Sequence, residues 1–270
     1  MFTSLIQSNT ETQKLGELIS NVAPAEKIFL LGSTEMRKRT GSIFNYEQPS
    51  CKYTSHYYVL ALVNKSDEQT HSCIQDKIEN NLKHFIPVTA IALWIEQFNN
   101  WLSEGHPFAC TVVQRAVVLH DNDLPLPPPQ ETDAAAWESS RKQYYTKGLT
   151  MITEFLAGAE MYRIRKQHAM AAFMLHQSAE HGLRTLMKIT TGLRTNTHNL
   201  DRLLRYCSMA VHGLPEILGT EQQRGKQLFS KLQHAYVDAR YKEYSISHEE
   251  LLQLEEQVRR FIVLYKAHAK

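Results

Sequence analysis

A chain of 270 residues, 43% of them hydrophobic, has apolar material for one or two packed domains. Thirty basic against 28 acidic residues leave a formal charge of +2, so bulk charge neither excludes nor requires a polyanionic partner, and only a local patch could matter. The longest apolar runs fall far short of a membrane span, and the start, MFTSLIQSNTETQK, lacks the basic-then-apolar order of a secretory signal. Four widely spaced cysteines (Cys51, Cys73, Cys110, Cys207) form no C-x-x-C pair, and none of the histidines forms H-x-x-x-H with an adjoining acid. The expectation is a cytoplasmic protein with reduced thiols, no metal site and no membrane segment.

Helical spacing comes first, over 12–22, where Leu15, Leu18, Ile19 and Val22 share a face. Residues 27–31 form a short apolar strand ending at Gly32. The segment 34–54, with the basic triplet Arg37-Lys38-Arg39, reads as a surface loop. The run 55–63 is nearly continuous in apolar and aromatic residues, as in a central strand. A polar-faced helix follows over 67–82, a strand over 85–93, a helix over 95–104 stopping at Gly105, and a last strand over 116–120. Trp94 and Trp101, seven apart around that helix, read as a core stripe, with an aromatic base-stacking platform as the alternative. Strands alternating with helices describe a small α/β domain over 1–123.

Prolines at 125, 127, 128 and 129 forbid a helix over 124–133 and favour an extended interdomain linker. Beyond it the pattern is almost purely helical: 134–164, with Asp133 placed to cap it, then 169–190, stopped by Thr191-Gly192. Helices over 199–211, 222–237 and 247–267 complete the set, the last opened by the capping box Ser247-x-x-Glu250. Five helices with short connections predict a bundle over 134–270.

Within 169–190, Phe173, Leu175, Ala179, Leu183 and Leu186 supply an apolar face. His176, Glu180 and Arg184 recur every four residues and share one line. Such a line is either a satisfied internal network or a ligand-contacting surface. Arg240, followed by Tyr241 and Tyr244, offers a cation and stacking rings to a nucleotide. It could equally lock helices by pairing with Glu180, and the cost of an unpaired charge inside a bundle favours that second role.

Three stretches, AAFMLHQSAEHGLRTLMKITTG (171–192), THNLDRLL (197–204) and YVDARYKEY (236–244), resemble the HEPN domain in order and spacing. The likeness covers about 135–268 and implies an antiparallel bundle of about five helices, in a family whose members often dimerise. It also implies that His198 and Arg240 approach the line of His176, Glu180 and Arg184. Some HEPN proteins are metal-independent ribonucleases with an R-x(4–6)-H motif. Arg205 and His212 fit that spacing but directly follow THNLDRLL instead of lying on the late helix. Arg240 and His248 lie late but seven residues intervene. The resemblance is therefore to the non-nuclease, sacsin-like branch, which is associated with nucleotide binding.

HEPN domains are often joined to small nucleotidyltransferases of the MNT type, and the first half resembles that domain. Gly32-Ser33 follows the first strand, and HPFACTVVQRAVVLHD (106–121) is similar to its closing helix and strand. In that family two aspartates on one strand and a third acid hold magnesium against nucleotide phosphates. Here His56 and Tyr58 stand where the aspartates belong, and 82–95 contains no Asp or Glu. Asp67 and Glu68 come after the strand, where exposure to solvent is expected, and the basic triplet is either a phosphate attractor or a solvated run. The expected fold is thus α+β, a degenerate nucleotidyltransferase-like α/β domain with its altered site at Gly32, Ser33, His56 and Tyr58, followed by an antiparallel five-helix HEPN bundle. The expected function is non-catalytic binding of a nucleotide or nucleic-acid-related ligand by a homodimer. Its candidate residues are His176, Glu180, Arg184, His198, Arg240, Tyr241 and Tyr244, with no metal and no cofactor. The alternatives are a toxin–antitoxin-type enzyme, ribonuclease or nucleotidyltransferase, and a structural interaction module.

Overall fold

The computed structural model describes residues 9–39, 50–65, 69–241 and 244–268, with backbone only at 9–12, 35–39 and 50–55. The chain divides into two units, Met1–Thr132 and Asp133–Lys270.

In unit 1, α1 (Asn9–Val22) leads into β1 (Ala25–Arg39), β2 (Ser50–Val63), α2 (His71–Leu82), β3 (Val88–Trp94), α3 (Ile95–Ser103), α4 (Pro107–Arg115) and β4 (Val117–Asp121). The sheet order is β3-β2-β1-β4. β1 runs antiparallel to β2 and β4, whereas β2 and β3 are parallel, with α2 as the crossover that parallel pairing needs. Residues 57–63 of β2 are buried on both faces, which is why they are apolar at nearly every position instead of alternating. Tyr57, Val59, Ala61 and Val63 pack with Leu15 and Ile19 of α1 and Ile74 and Ile78 of α2. Tyr58, Leu60 and Leu62 point the other way by the two-residue period of a strand. That side of the sheet is covered by α3, with Phe98 and Leu102 fully buried.

β1 does not end at Gly32. It continues to Arg39, and β2 begins at Ser50, so both flanks of the expected 34–54 loop are strand, paired from Glu35↔Thr54 to Arg39↔Ser50. Residues 40–49 lie outside the described residues. Gly32-Ser33 is therefore not a turn: it sits inside the ladder, opposite Tyr58 and Tyr57, just after a register shift between Leu30 and Gly32. Pairing with a long β2 carries the strand past a glycine that local propensity alone would read as a stop. A Cβ at Gly32 would meet nothing within 4 Å, so no close approach requires glycine there.

The proline-rich stretch, expected as an extended interdomain linker, is hydrogen-bonded along unit 1. The Gln130 N–H donates to the Leu102 carbonyl (2.9 Å), and the Cys110 thiol donates to the Gln130 carbonyl (3.4 Å). The Lys27 ammonium donates to the Leu124 carbonyl (3.0 Å) and pairs with Asp121 (2.8 Å). Gly105, at φ +67°, makes room for this course, because a Cβ there would lie 2.6 Å from the Glu131 carbonyl oxygen.

Unit 2 consists of α5 (Ala134–Ile164), α6 (His168–Thr191), α7 (Leu200–Ser208), the single turn α8 (Leu214–Ile217), α9 (Gln223–Tyr241) and α10 (His248–Ala267). The helix ends follow local chemistry. The Asp133 carboxylate accepts the Ala136 N–H (2.9 Å), Ser247 and Glu250 form a reciprocal capping box, and Gly192, at φ +85°, closes α6. α8 went unforeseen because its one turn is too short for a periodic signal. α6 is the central helix, packed against α5, α7, α9 and α10. Close packing is set at Gly182 of α6, where a Cβ would overlap the Phe261 ring of α10 and lie 3.3 Å from Ile152 of α5. An Arg163–Glu255 pair (2.8 Å) ties α5 to α10. Among the described residues no helix is long and apolar enough to cross a membrane.

Gly182→Ala should destabilise the protein by about 1–3 kcal/mol in urea unfolding, the usual cost of overfilling a packed core. Gly32→Ala, with open space around it, should stay within about 0.5 kcal/mol of the parent. Equal effects would contradict the packing assigned to α6.

Candidate functional site

The polar line on α6 folds inward. Glu180 is 1% exposed, and its Oε1 receives Arg184 Nη1 at 2.9 Å, one turn along the helix, and His198 Nδ1 at 3.0 Å. His198 arrives on the segment between α6 and α7. Arg184 fixes that segment as well, donating to the Thr197 carbonyl (3.0 and 3.2 Å) and the Asn196 carbonyl (3.1 Å). One guanidinium thus compensates a buried carboxylate and positions the imidazole that shares it.

His176 is fully buried one turn before Glu180, its Nδ1 3.6 Å from Glu180 Oε2. His176 Nε2 and Glu180 Oε2 have no hydrogen-bond partner among the described residues. Burial, reinforced by the neighbouring charges of His198, Arg240 and Arg184, pushes the His176 imidazole down to about 3. Tyr236 of α9 closes the group, stacked on His198 at 4.8 Å and 14° and lying 5.1 Å from His176. Sequence reasoning missed Tyr236, although it stands one turn before Arg240 on the same helix, and that four-residue spacing was the available signal.

Arg240 does not lock onto Glu180. Arg184, on the same helix as the carboxylate, reaches it without any tertiary closure. The Arg240 guanidinium instead lies over three rings, Tyr236 (4.7 Å), Phe173 (5.0 Å) and Tyr241 (5.0 Å), and donates from Nε to the Tyr236 carbonyl (2.8 Å). Tyr241 is 75% exposed. Tyr244 lies apart from the cluster: its hydroxyl donates to the Lys231 carbonyl (3.0 Å), and burial, with Glu250 and Asp238 nearby, pushes its phenol up.

Residues 153–268 match the HEPN domain. The matched stretch begins inside α5, ends just past α10, and contains every member of the Glu180 cluster. No curated protein matches the chain. Within the HEPN region Arg205 is paired with Asp201 (3.0 Å), and His212 is exposed in the turn before α8.

In unit 1 the register sets Gly32 opposite Tyr58 and Thr34 opposite His56. His56 Nε2 lies 2.6 Å from the buried Thr89 hydroxyl of β3, its ring 5.0 Å from that of Tyr58, and the Tyr58 hydroxyl is 3.5 Å from Thr34 Oγ1. Imidazole, phenol and hydroxyl groups suit a hydrogen-bonded net, not the oxygen shell of magnesium, and neither β2 nor β3 carries a carboxylate. Among the described residues no three His, Cys, Asp or Glu are grouped to hold a metal ion. Asp67, Glu68 and the side chains of Arg37, Lys38 and Arg39 lie outside the described residues.

His176 is neutral in the fold, whereas in the unfolded chain it takes up a proton below its ordinary value of 6.5. Between there and about 3 the unfolded chain holds the extra proton, so this residue's stabilisation is complete above 6.5 and is lost progressively as pH falls. His176→Gln should therefore lose less stability than the parent in chemical unfolding between neutral and mildly acidic pH. Parallel profiles would remove His176 as the source of the dependence.

Proposed function

We propose that this is a non-catalytic HEPN-domain protein whose helical unit binds a nucleotide at the Arg240 edge of the Glu180 cluster. Arg240 carries the reading: a guanidinium resting on three rings with no carboxylate partner among the described residues. Its Nε is engaged by the Tyr236 carbonyl, which leaves the terminal nitrogens as donors for a phosphate. Exposed Tyr241 offers a stacking face to a base. The orphaned His176 Nε2 and Glu180 Oε2 supply polarity behind them.

The absence of catalysis is supported by Arg205 being engaged with Asp201 and by the lack of acids on β2 and β3. Unit 1 is then a degenerate nucleotidyltransferase-like domain kept for structure or binding, and the HEPN half belongs with the sacsin-like branch. A cytoplasmic homodimer completes the proposal. Its support is the apolar exposure on α5, at Met151, Met161 and Ile164. α10 contributes less, since Glu256 and Arg260 pair on its surface between Leu252 and Val263.

Arg240→Ala should leave the melting temperature nearly unchanged and weaken ATP or AMP binding by roughly 1.5–3 kcal/mol, the worth of a charged hydrogen bond. Normal melting together with normal binding would sink the site. RNA should survive incubation in EDTA, and labelled ATP with magnesium should transfer nothing to protein or RNA. RNA cleavage abolished by His212→Ala would instead make this a HEPN ribonuclease.

Sedimentation at micromolar concentration should report about twice the 31.1 kDa chain mass, and Ile164→Glu should reduce it to one chain. A parent protein that stays monomeric at high concentration would end the dimer proposal.

A further inference from the structure

The bundle holds a second group of cations, eight residues beyond Glu180 on α6. Lys188 lies in the last turn of that helix, and Arg194 follows the Gly192 cap. The Lys188 ammonium donates to the Gly192 carbonyl (2.8 Å) and sits 5.5 Å from the centre of the Trp137 ring and 5.3 Å from that of Tyr144. The Arg194 guanidinium lies 5.3 Å over the same Tyr144 ring, and its Nη2 donates to the Tyr144 hydroxyl. Trp137 and Tyr144 are on α5, ahead of residue 153, where the HEPN match starts.

The charges in this group do not balance. Neither Lys188 nor Arg194 has an ion-pair partner among the described residues. Glu138, the neighbour of Trp137, is committed to Arg141 (2.9 Å) and lies 3.8 Å from Lys142. The carbonyls ending α6 offer roughly half a negative charge against two positive ones. Ring faces attract cations through their quadrupole but bring no net charge. Burial and the nearby Arg194 accordingly hold Lys188 well below the ordinary lysine range, at about 8. Arg194 is exposed while Trp137, Tyr144 and Lys188 are half-buried, so the group opens to the surface.

We propose that Lys188, Arg194, Tyr144 and Trp137 form a binding site for a phosphate-type anion, either free phosphate or the terminal phosphate of a nucleotide. The guanidinium supplies forked donors, and the ammonium supplies the two N–H groups not used by Gly192. The two rings hold both cations in place. A dianion seated here would supply the negative charge that the surrounding side chains lack. The site shares no residue with the Arg240 edge and does not depend on the function proposed for it.

The test is calorimetric titration of the full chain with inorganic phosphate and, separately, with AMP, alongside melting. Phosphate should bind saturably at millimolar concentration, and Arg194→Met should weaken it at least about tenfold. Lys188→Met should do the same, while Tyr144→Phe, which keeps the ring, should retain most of the binding. In the Arg240→Ala protein, where any phosphate held at the other cluster is lost, the part of the isotherm that depends on Arg194 should persist. If Lys188→Met fails to fold because α6 loses its cap, the exposed Arg194 variant decides alone. In the Arg240→Ala protein, AMP binding tighter than phosphate and lost on adding Arg194→Met would support the site and identify the nucleotide as the source. AMP binding no tighter would support it and identify free phosphate. The proposal is overturned by no saturable response to either ligand, by a phosphate response that Arg194→Met leaves unchanged, or by complete loss of phosphate binding in Arg240→Ala, which would place the anion at the other cluster alone.

Discussion

A carboxylate at 1% exposure inside a helical bundle has to be compensated, since an uncompensated buried charge costs more than most single contacts return. Meeting that requirement at Glu180 organises much of unit 2. Arg184 is available from the same helix, but His198 has to be brought back over α6 by the segment that leaves it. Arg184 holds that segment through the Asn196 and Thr197 carbonyls. Asn199 then caps α7 by accepting the Arg202 N–H (2.9 Å), and Gln233 of α9 accepts the Leu200 N–H (2.6 Å). The second of these bonds draws α9 toward the start of α7, one turn from where Tyr236 stacks on His198. Glu180, the α6–α7 connection and the approach of α9 are thus one linked set of polar contacts.

The parts of this arrangement that sequence could reveal are those built on local periodicity. His176, Glu180 and Arg184 share a line because a helix repeats every 3.6 residues, the caps at Asp133 and Ser247 follow from side chains reaching backbone three positions on, and that at Gly192 from the left-handed backbone a glycine allows. What failed depended on partners distant in sequence. Arg240 looked like the counter-ion of Glu180 because both lie in apolar surroundings, yet the nearer cation on the same helix took the role. Tyr244 was grouped with Arg240 by proximity in sequence, but α9 ends at Tyr241, so helical spacing says nothing about where Tyr244 faces. The end of β1 was misplaced for the same reason: a ladder with residues some twenty positions away outweighs one glycine.

Unit 1 shows how neutral polar groups are satisfied inside a sheet. His56 is bonded to Thr89 across the parallel β2–β3 pair, and Tyr58 lies buried on the face that α3 covers. A buried hydroxyl such as that of Thr89 needs a partner, and the imidazole provides one. An aspartate at position 56 would exchange this neutral contact for a carboxylate facing a single hydroxyl, so the present residues are matched to each other.

Charge along α6 links the two cationic groups of the bundle. Glu180 is the only carboxylate in that helix, and the cations after it, Arg184 and Lys188, occupy successive turns toward the C-terminus, where the helix dipole favours them. Arg184 is matched by Glu180 and by carbonyl oxygens. Lys188 has one carbonyl, and Arg194 and Arg240 rest mainly on ring faces. A formal charge of +2 over the whole chain hides this gradient, because among the described residues no acid forms an ion pair with Lys188, Arg194 or Arg240. Anion recognition is decided by that local imbalance: field strength falls with distance and is screened within about 10 Å in dilute salt. An anion arriving at the end of α6 therefore meets two cations held by aromatic rings, whatever the balance of charges over the rest of the chain.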